Sequence, residues 1–238
     1  MAVLTATRTE PEFRSEPHRW QTTLPARLVR RIGRRWVIAR HVESYCRPLT
    51  IEGAEAFDAV RGPAIIIANH SSHFDTPVVL TSLPERIRRK TAVGAAADRF
   101  YRRGKKTWWF SLFFNTFPIV RGGGSATLDY ARELLGRGWS VVIFPEGTRS
   151  TSGDVNRFRH GVAILAMQAN VPVVPVHIDG LRNVMPKGER VPRPAAVSVR
   201  VGAPVWVDDA LTVPEATERL QTALLALGGV EATPAVAA

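Results

Sequence analysis

Between Leu24 and His41 the apolar residues Leu28, Ile32, Trp36 and Ala39 recur at steps of three and four, and Arg27, Arg30, Arg31, Arg34, Arg35 and Arg40 occupy much of the remaining surface. That period predicts a basic amphipathic helix. Its apolar stripe is expected to pack on the rest of the chain with the arginines solvated, or the helix is expected to lie on anionic lipid headgroups. Downstream, short β-rich runs at 64–68, 91–96, 117–120, 140–145, 171–178 and 196–202 alternate with helical patterns, among them FDTPVVLTSL, the aromatic stretch 100–114, SATLDYARELLGRG and GVAILAMQA. Strands that alternate with helices favour crossover connections. The expected fold is therefore a single α/β domain with a largely parallel mixed sheet covered by helices. Thr212, Pro214 and Glu215 announce a last helix as a capping box, with Leu220, Leu224 and Leu227 facing inward. Residues 1–20 and 229–238 have no period and read as frayed tails. The organisation is thus tail 1–20, basic helical segment 21–50, main domain 51–228 and tail 229–238.

Length and composition narrow the class. A chain of 238 residues with 45% hydrophobic positions suits one large domain. A lone Cys46 makes neither an intrachain disulfide nor a cysteine zinc cage, which fits a reducing, cytosolic compartment. No run of about 18 apolar residues suggests a membrane span, and residues 1–19 lack the apolar core of a signal peptide. Thirty-two Lys and Arg against 21 Asp and Glu leave a net charge of +11, which points to an anionic partner: nucleic acid, a membrane surface or a phosphorylated metabolite.

Three clusters carry candidate chemistry. In AIIIANHSSHFDTP a strand ends at Asn69 and His70, and Asp75 begins the next helix; the turn between them can fold Asp75 back onto one imidazole nitrogen of His70 and leave the other as a base. His73 could be drawn with His70 and Asp75 as a metal site, but no second acidic cluster supports one, and no metal is expected. In FPIVRGGGSATLDYARELL, Arg121 and three glycines precede a helix, an arrangement able to grip an anion with N–H groups and a guanidinium. In VVIFPEGTRS a buried-type strand runs into Glu146, Gly147, Thr148, Arg149 and Ser150 at the same sheet edge.

Together these blocks resemble the PlsC-like glycerolipid acyltransferases of the 1-acylglycerol-3-phosphate acyltransferase type. His70 and Asp75 match the first block, 117–121 the second, 144–150 the third and 171–176 the fourth, with Phe158, Arg159 and Gly161 between the last two. The resemblance spans about residues 60–180. It implies acyl transfer from acyl-CoA or an acyl carrier protein, as co-substrate and with no cofactor, to a hydroxyl of 1-acylglycerol-3-phosphate. Glycerol 3-phosphate or another lysolipid remains an alternative acceptor, and a non-enzymatic protein binding membrane or nucleic acid through its basic faces is the rival of another class. His70 and Asp75 would be catalytic; Arg121, Glu146, Gly147, Thr148, Arg149 and Ser150 would bind substrate. Two departures stand out: VGAAADRFY lacks the lysine that many relatives carry there, and the transmembrane helices of many relatives are missing. Peripheral attachment to an anionic, cytoplasmic membrane face through the helix at 24–41 is the expected consequence. The stretch 106–120 would wall an acyl tunnel or form ordinary core.

Overall fold

A computed structural model describes residues 17–101, 108–120 and 128–229. Its centre is a seven-stranded sheet: β1 (Cys46–Glu52), β2 (Ile65–Ala68), β3 (Thr91–Ala96), β4 (Thr116–Ile119), β5 (Ser140–Ile143), β6 (Val173–Asp179) and β7 (Ala195–Val201), in the spatial order β1-β7-β6-β2-β5-β3-β4. Every neighbouring pair is parallel except β6 with β7. The helices are α1 (Leu24–Gly33), α2 (Ala39–Tyr45), α3 (Asp75–Ser82), α4 (Glu85–Arg88), α5 (Ala97–Phe100), α6 (Trp108–Phe114), α7 (Asp129–Gly136), α8 (Gly161–Ala169), α9 (Leu181–Val184) and α10 (Val213–Leu227).

Strand β2 is a run of isoleucines because both faces of the sheet are covered there. Ile66 joins Val42 of α2 and Val78 of α3 on one face. Ile65 and Ile67 point the other way, against Leu134 of α7, Leu165 of α8 and Leu220 and Leu224 of α10. Helix α10 starts at the expected capping box, with Thr212 and Glu215 each bonded to the other's backbone N–H. Helix α8 stops at Asn170, whose left-handed φ of 47° ends the turn.

The N-terminal helix does not pack by its apolar stripe, the first of the two readings given for it. Leu28, Ile32 and Trp36 are 62%, 63% and 70% exposed, whereas Arg30 is 3% exposed. The cause lies in α6, whose last carbonyls have no partner within their own helix. Arg30 Nε donates to Leu112 O (2.6 Å), and Arg34 donates to Phe113 O (2.9 Å) and Phe114 O (3.3 Å). Arg34 also donates to Arg88 O (2.9 Å). Gly33 makes the approach possible, since a Cβ there would collide with the Phe113 ring. The cationic side chains thus cap α6, and the apolar stripe is left outside.

Two boundaries also shift. Residues 17–20 do not fray with the tail: Arg19–Thr22 forms a 3-10 turn, and the fully buried Gln21 donates to Thr116 O (2.9 Å). The basic segment is not helical as far as residue 50, because its helix continues through a π-helical turn at Arg34–Ile38 to Tyr45 and then becomes β1. Strand β1 is an edge strand, mostly exposed and interrupted by Pro48, so it carries no alternation to read. The tail readings for 1–16 and 230–238 lie outside the described residues, as do Arg121 and the glycine turn.

Candidate active site

Strands β2 and β5 lie side by side with Ile67 opposite Ile143, so the segments that leave their carboxyl ends emerge together. Such ends line the crevice of an open α/β sheet. One exit carries Asn69 to Asp75, the other Glu146 to Ser150.

Asn69 fixes the first exit by a two-way bond to the backbone of β6: its Nδ2 donates to Ile178 O and its Oδ1 accepts from Ile178 N, both at 2.8 Å. The chain then turns into α3, and Asp75 comes back beneath His70. Oδ2 of Asp75 stands 2.6 Å from His70 Nδ1 and accepts from the backbone N–H groups of Ser71 (2.7 Å) and Ser72 (2.8 Å). The Ser71 hydroxyl donates to Oδ1 at 3.4 Å. Asp75 is fully buried, a position a carboxylate tolerates only with such donors around it and, here, with the first turn of α3 above it. With the Nδ1 proton directed at Asp75, Nε2 of His70 carries the free lone pair; this tautomer follows from the bonding pattern. The ring stacks on Phe144 at 4.4 Å between centroids, which leaves it one way to face.

The second exit holds the main chain of His70 at both ends. Glu146 Oε1 accepts from His70 N (2.6 Å), and Ser150 N donates to His70 O (2.7 Å). The other Glu146 oxygen accepts from the backbone N–H (2.9 Å) and Nδ2 (2.7 Å) of Asn156. Burial pushes the Glu146 carboxyl up, against the pull of these hydrogen bonds. Both of its oxygens are therefore engaged away from any substrate. Gly147 lies at φ +70°, and a Cβ there would stand 2.6 Å from Nε of Arg159, so only glycine lets this turn close beneath that guanidinium.

A cavity of about 630 Å³ opens beside His70, within the range of small-molecule sites. Its polar lining is His70, His73, Arg99, Arg149 and Arg159, and its apolar lining includes Val93, Phe114, Ile119 and Ile164. Arg149 is nearly buried, and its Nη1 has no hydrogen-bond partner among the described residues. Burial first, then Arg99, lowers the Arg149 pKa, while Asp75 opposes the change. His73 is lowered to about 4 by burial, then by Arg149, Arg99 and His70, and its Nε2 lies 3.5 Å from Arg99 Nη2. It is thus a neutral acceptor in a cationic corner.

Of the residues expected from the sequence, His70, Gly147 and Arg149 border the cavity, and Asp75, Glu146 and Ser150 brace His70 from behind. Thr148 is exposed and does not border the cavity. Among the described residues no group of three or more His, Cys, Asp and Glu could hold a metal. Arg99 escaped notice because a single arginine on α5 carries no motif, and Asn156 because it follows Glu146 through an irregular loop. Arg159 had a signal, the block at 158–161, without a role.

Comparison with known proteins follows the same residues. A family model described as "Acyltransferase" matches residues 48–179. A 1-acyl-sn-glycerol-3-phosphate acyltransferase of Cocos nucifera is 31% identical over 68% of this chain and 51% of that protein. The corresponding alpha enzyme of Mus musculus is 29% identical over 65% of this chain and 54% of its own length. The chain spans about half the length of the curated relatives it matches. The crystal structure of the 1-acyl-sn-glycerophosphate acyltransferase PlsC of Thermotoga maritima superposes with a TM-score of 0.64 at 25% identity, covering 87% of this chain and 81% of that one.

Proposed function

The chain belongs to the acyltransferase family, which its residues 48–179 match, and from that premise we propose that it transfers a fatty acyl group from an acyl-CoA or acyl carrier protein thioester to the free hydroxyl of 1-acylglycerol-3-phosphate. The observation that carries this reading is the His70–Asp75 pair beside a cavity lined by both arginines and apolar side chains. Nε2 of His70 takes the proton of the acceptor hydroxyl as its oxygen attacks the thioester carbonyl carbon. Asp75 holds the tautomer and stabilises the imidazolium that results. When the tetrahedral intermediate collapses, the C–S bond breaks and the imidazolium returns its proton to the departing thiolate. A thioester is already activated, so no serine or cysteine nucleophile is required.

Arg149, with Arg99 and Arg159 beside it and Arg121 in the preceding block, holds the acceptor phosphate. A guanidinium fork fits a phosphate, and fixing that group turns a diffusional encounter into a positioned attack. Glu146 and Ser150 serve the same step indirectly by fixing the main chain of His70. The apolar wall takes the acyl chain.

The protein sits peripherally on the cytoplasmic leaflet through α1. Supporting this, Leu28, Ile32 and Trp36 form an exposed stripe, and no helix among the described residues is long and apolar enough to cross a membrane.

The test is purified protein, one labelled acyl thioester and a panel of acceptors: 1-acylglycerol-3-phosphate, glycerol 3-phosphate and lysolipids with other headgroups. The first should turn over fastest, and His70→Ala should lose at least about 10³-fold in kcat with unchanged circular dichroism, the scale expected when a general base is removed. Preference for glycerol 3-phosphate would reassign the acceptor. Near-normal turnover by His70→Ala would reject the mechanism.

A further inference from the structure

A second cavity, of about 710 Å³, lies between α1 with its π-helical turn and the α3–α4 corner. Five arginines of the N-terminal helix (Arg27, Arg30, Arg31, Arg34, Arg35) and two at the end of α4 (Arg88, Arg89) border it, against the single carboxylate Glu85. The formal excess is six positive charges around one opening.

Existing partners do not neutralise it. Glu85 is shared by Arg88 (2.6 Å), Arg89 (2.8 Å) and Arg31 (3.7 Å). Arg30 and Arg34 are bonded to carbonyls, which satisfy their N–H groups without cancelling their charge. Arg27 lies over the Trp139 ring at 5.7 Å, again a neutral partner. The strain is visible in Arg34, lowered to about 9 by burial, then by Arg30 and Arg88, and in Arg30, lowered to about 10 by burial and Arg27.

An anion with several acceptor oxygens relieves this crowding, and a phosphate group, monoester or diester, offers oxygens to more than one guanidinium fork at once. The opening also has an apolar rim: Leu24 and Leu28 border it, and the exposed Ile32 and Trp36 continue along the same helix. A phosphate carried on a lipid would meet both features, its charge in the cavity and its chains against the stripe. A soluble phosphate would meet only the first.

From this juxtaposition we infer that the arginine-lined cavity between α1 and α4 is a headgroup site for an anionic phospholipid of the bilayer, separate from the catalytic cavity. The inference rests on the peripheral seat proposed above for α1 and adds to it a defined place for one lipid headgroup. The headgroup phosphate sits among Arg31, Arg35 and Arg89, and the buried Arg30 and half-buried Arg34 add to the positive field.

The experiment is flotation of the full chain with vesicles of phosphatidylcholine alone and of phosphatidylcholine with phosphatidylglycerol. The triple variant Arg31→Gln, Arg35→Gln, Arg89→Gln leaves the arginines that cap α6 untouched. Near an anionic surface each such charge contributes about fivefold. The triple variant should therefore bind anionic vesicles on the order of 100-fold more weakly, bind neutral vesicles as before, and keep acyl transfer in detergent micelles. An equal loss on removing three arginines elsewhere (Arg61, Arg190 and Arg219 to Gln) would overturn the site in favour of diffuse charge. Displacement from anionic vesicles by millimolar inorganic phosphate at constant ionic strength would also overturn it, by showing that free phosphate occupies the cavity. The underlying seat is tested separately by Leu28→Ser, Ile32→Ser, Trp36→Ser, which should weaken binding to both vesicle types; unchanged binding to neutral vesicles would reject the seat itself.

Discussion

At the scale of single residues, His70 is fixed through its ring and through both ends of its main chain. Its ring is set by Asp75 and Phe144, its N–H by Glu146 and its carbonyl by Ser150. Glu146 is the instructive case. The resemblance implies that it binds substrate. Its three donors show it joining the two strand exits instead. Glu146→Gln keeps the shape but turns an NH2 group toward donors, either His70 N–H or those of Asn156. A displaced base can cost as much as about 100-fold, so kcat should fall on that scale with acceptor KM unchanged, and thermal stability should drop as one buried donor loses its partner. A rise in KM with kcat intact would return Glu146 to the substrate.

At the scale of elements, the N-terminal helix shows how one local need overrides an amphipathic pattern. Helix α6 is seven residues long and ends in carbonyls that no downstream turn satisfies; Arg30 on α1 and Arg34 at the start of the π-helical turn, four residues on, reach them together. Arginine suits this place because its fork supplies several directed N–H groups while its stem packs on apolar surface. Arg34→Leu should therefore be strongly destabilising, by about 2–4 kcal/mol in urea unfolding, since it strands several carbonyls in partly buried surroundings. The neighbouring Arg35→Leu should stay within about 0.5 kcal/mol, as an exposed substitution. Equal effects at the two positions would mean that α6 is capped by something else.

At the scale of the whole molecule, positive charge converges on two places, the corner beside His70 and the α1–α4 cavity, drawn from elements far apart in the chain. The corner beside His70 has a consequence for acid stability. Unfolded, His73 takes up a proton near 6.5; folded, only near 4, with burial, Arg149, Arg99 and His70 all opposing it. Between those values the unfolded chain holds more protons, so stability must fall as pH is lowered from about 6.5 toward 4. His73→Gln should flatten that limb of the urea midpoint measured against pH and leave the midpoint above pH 7 nearly unchanged. An identical slope in the variant would show that other groups carry the acid response.

The sequence by itself determined the strand–helix alternation, the capping box at Thr212, the His70–Asp75 pair and the meeting of the His70 and Glu146 blocks at one sheet edge. These follow from local periods, from side chains bonding their own backbone, and from the rule that parallel strands share a carboxyl end. Tertiary structure alone decided which way α1 faces, that β1 joins the sheet at its edge, that Glu146 braces His70, and that Arg99 enters the crevice. Each of those outcomes depends on a partner more than twenty residues away, except the Glu146 bond to Asn156, ten residues on through an irregular loop. Periodicity reports which residues share a face, and says nothing about the carbonyl, guanidinium or ring that the rest of the chain will bring to meet it.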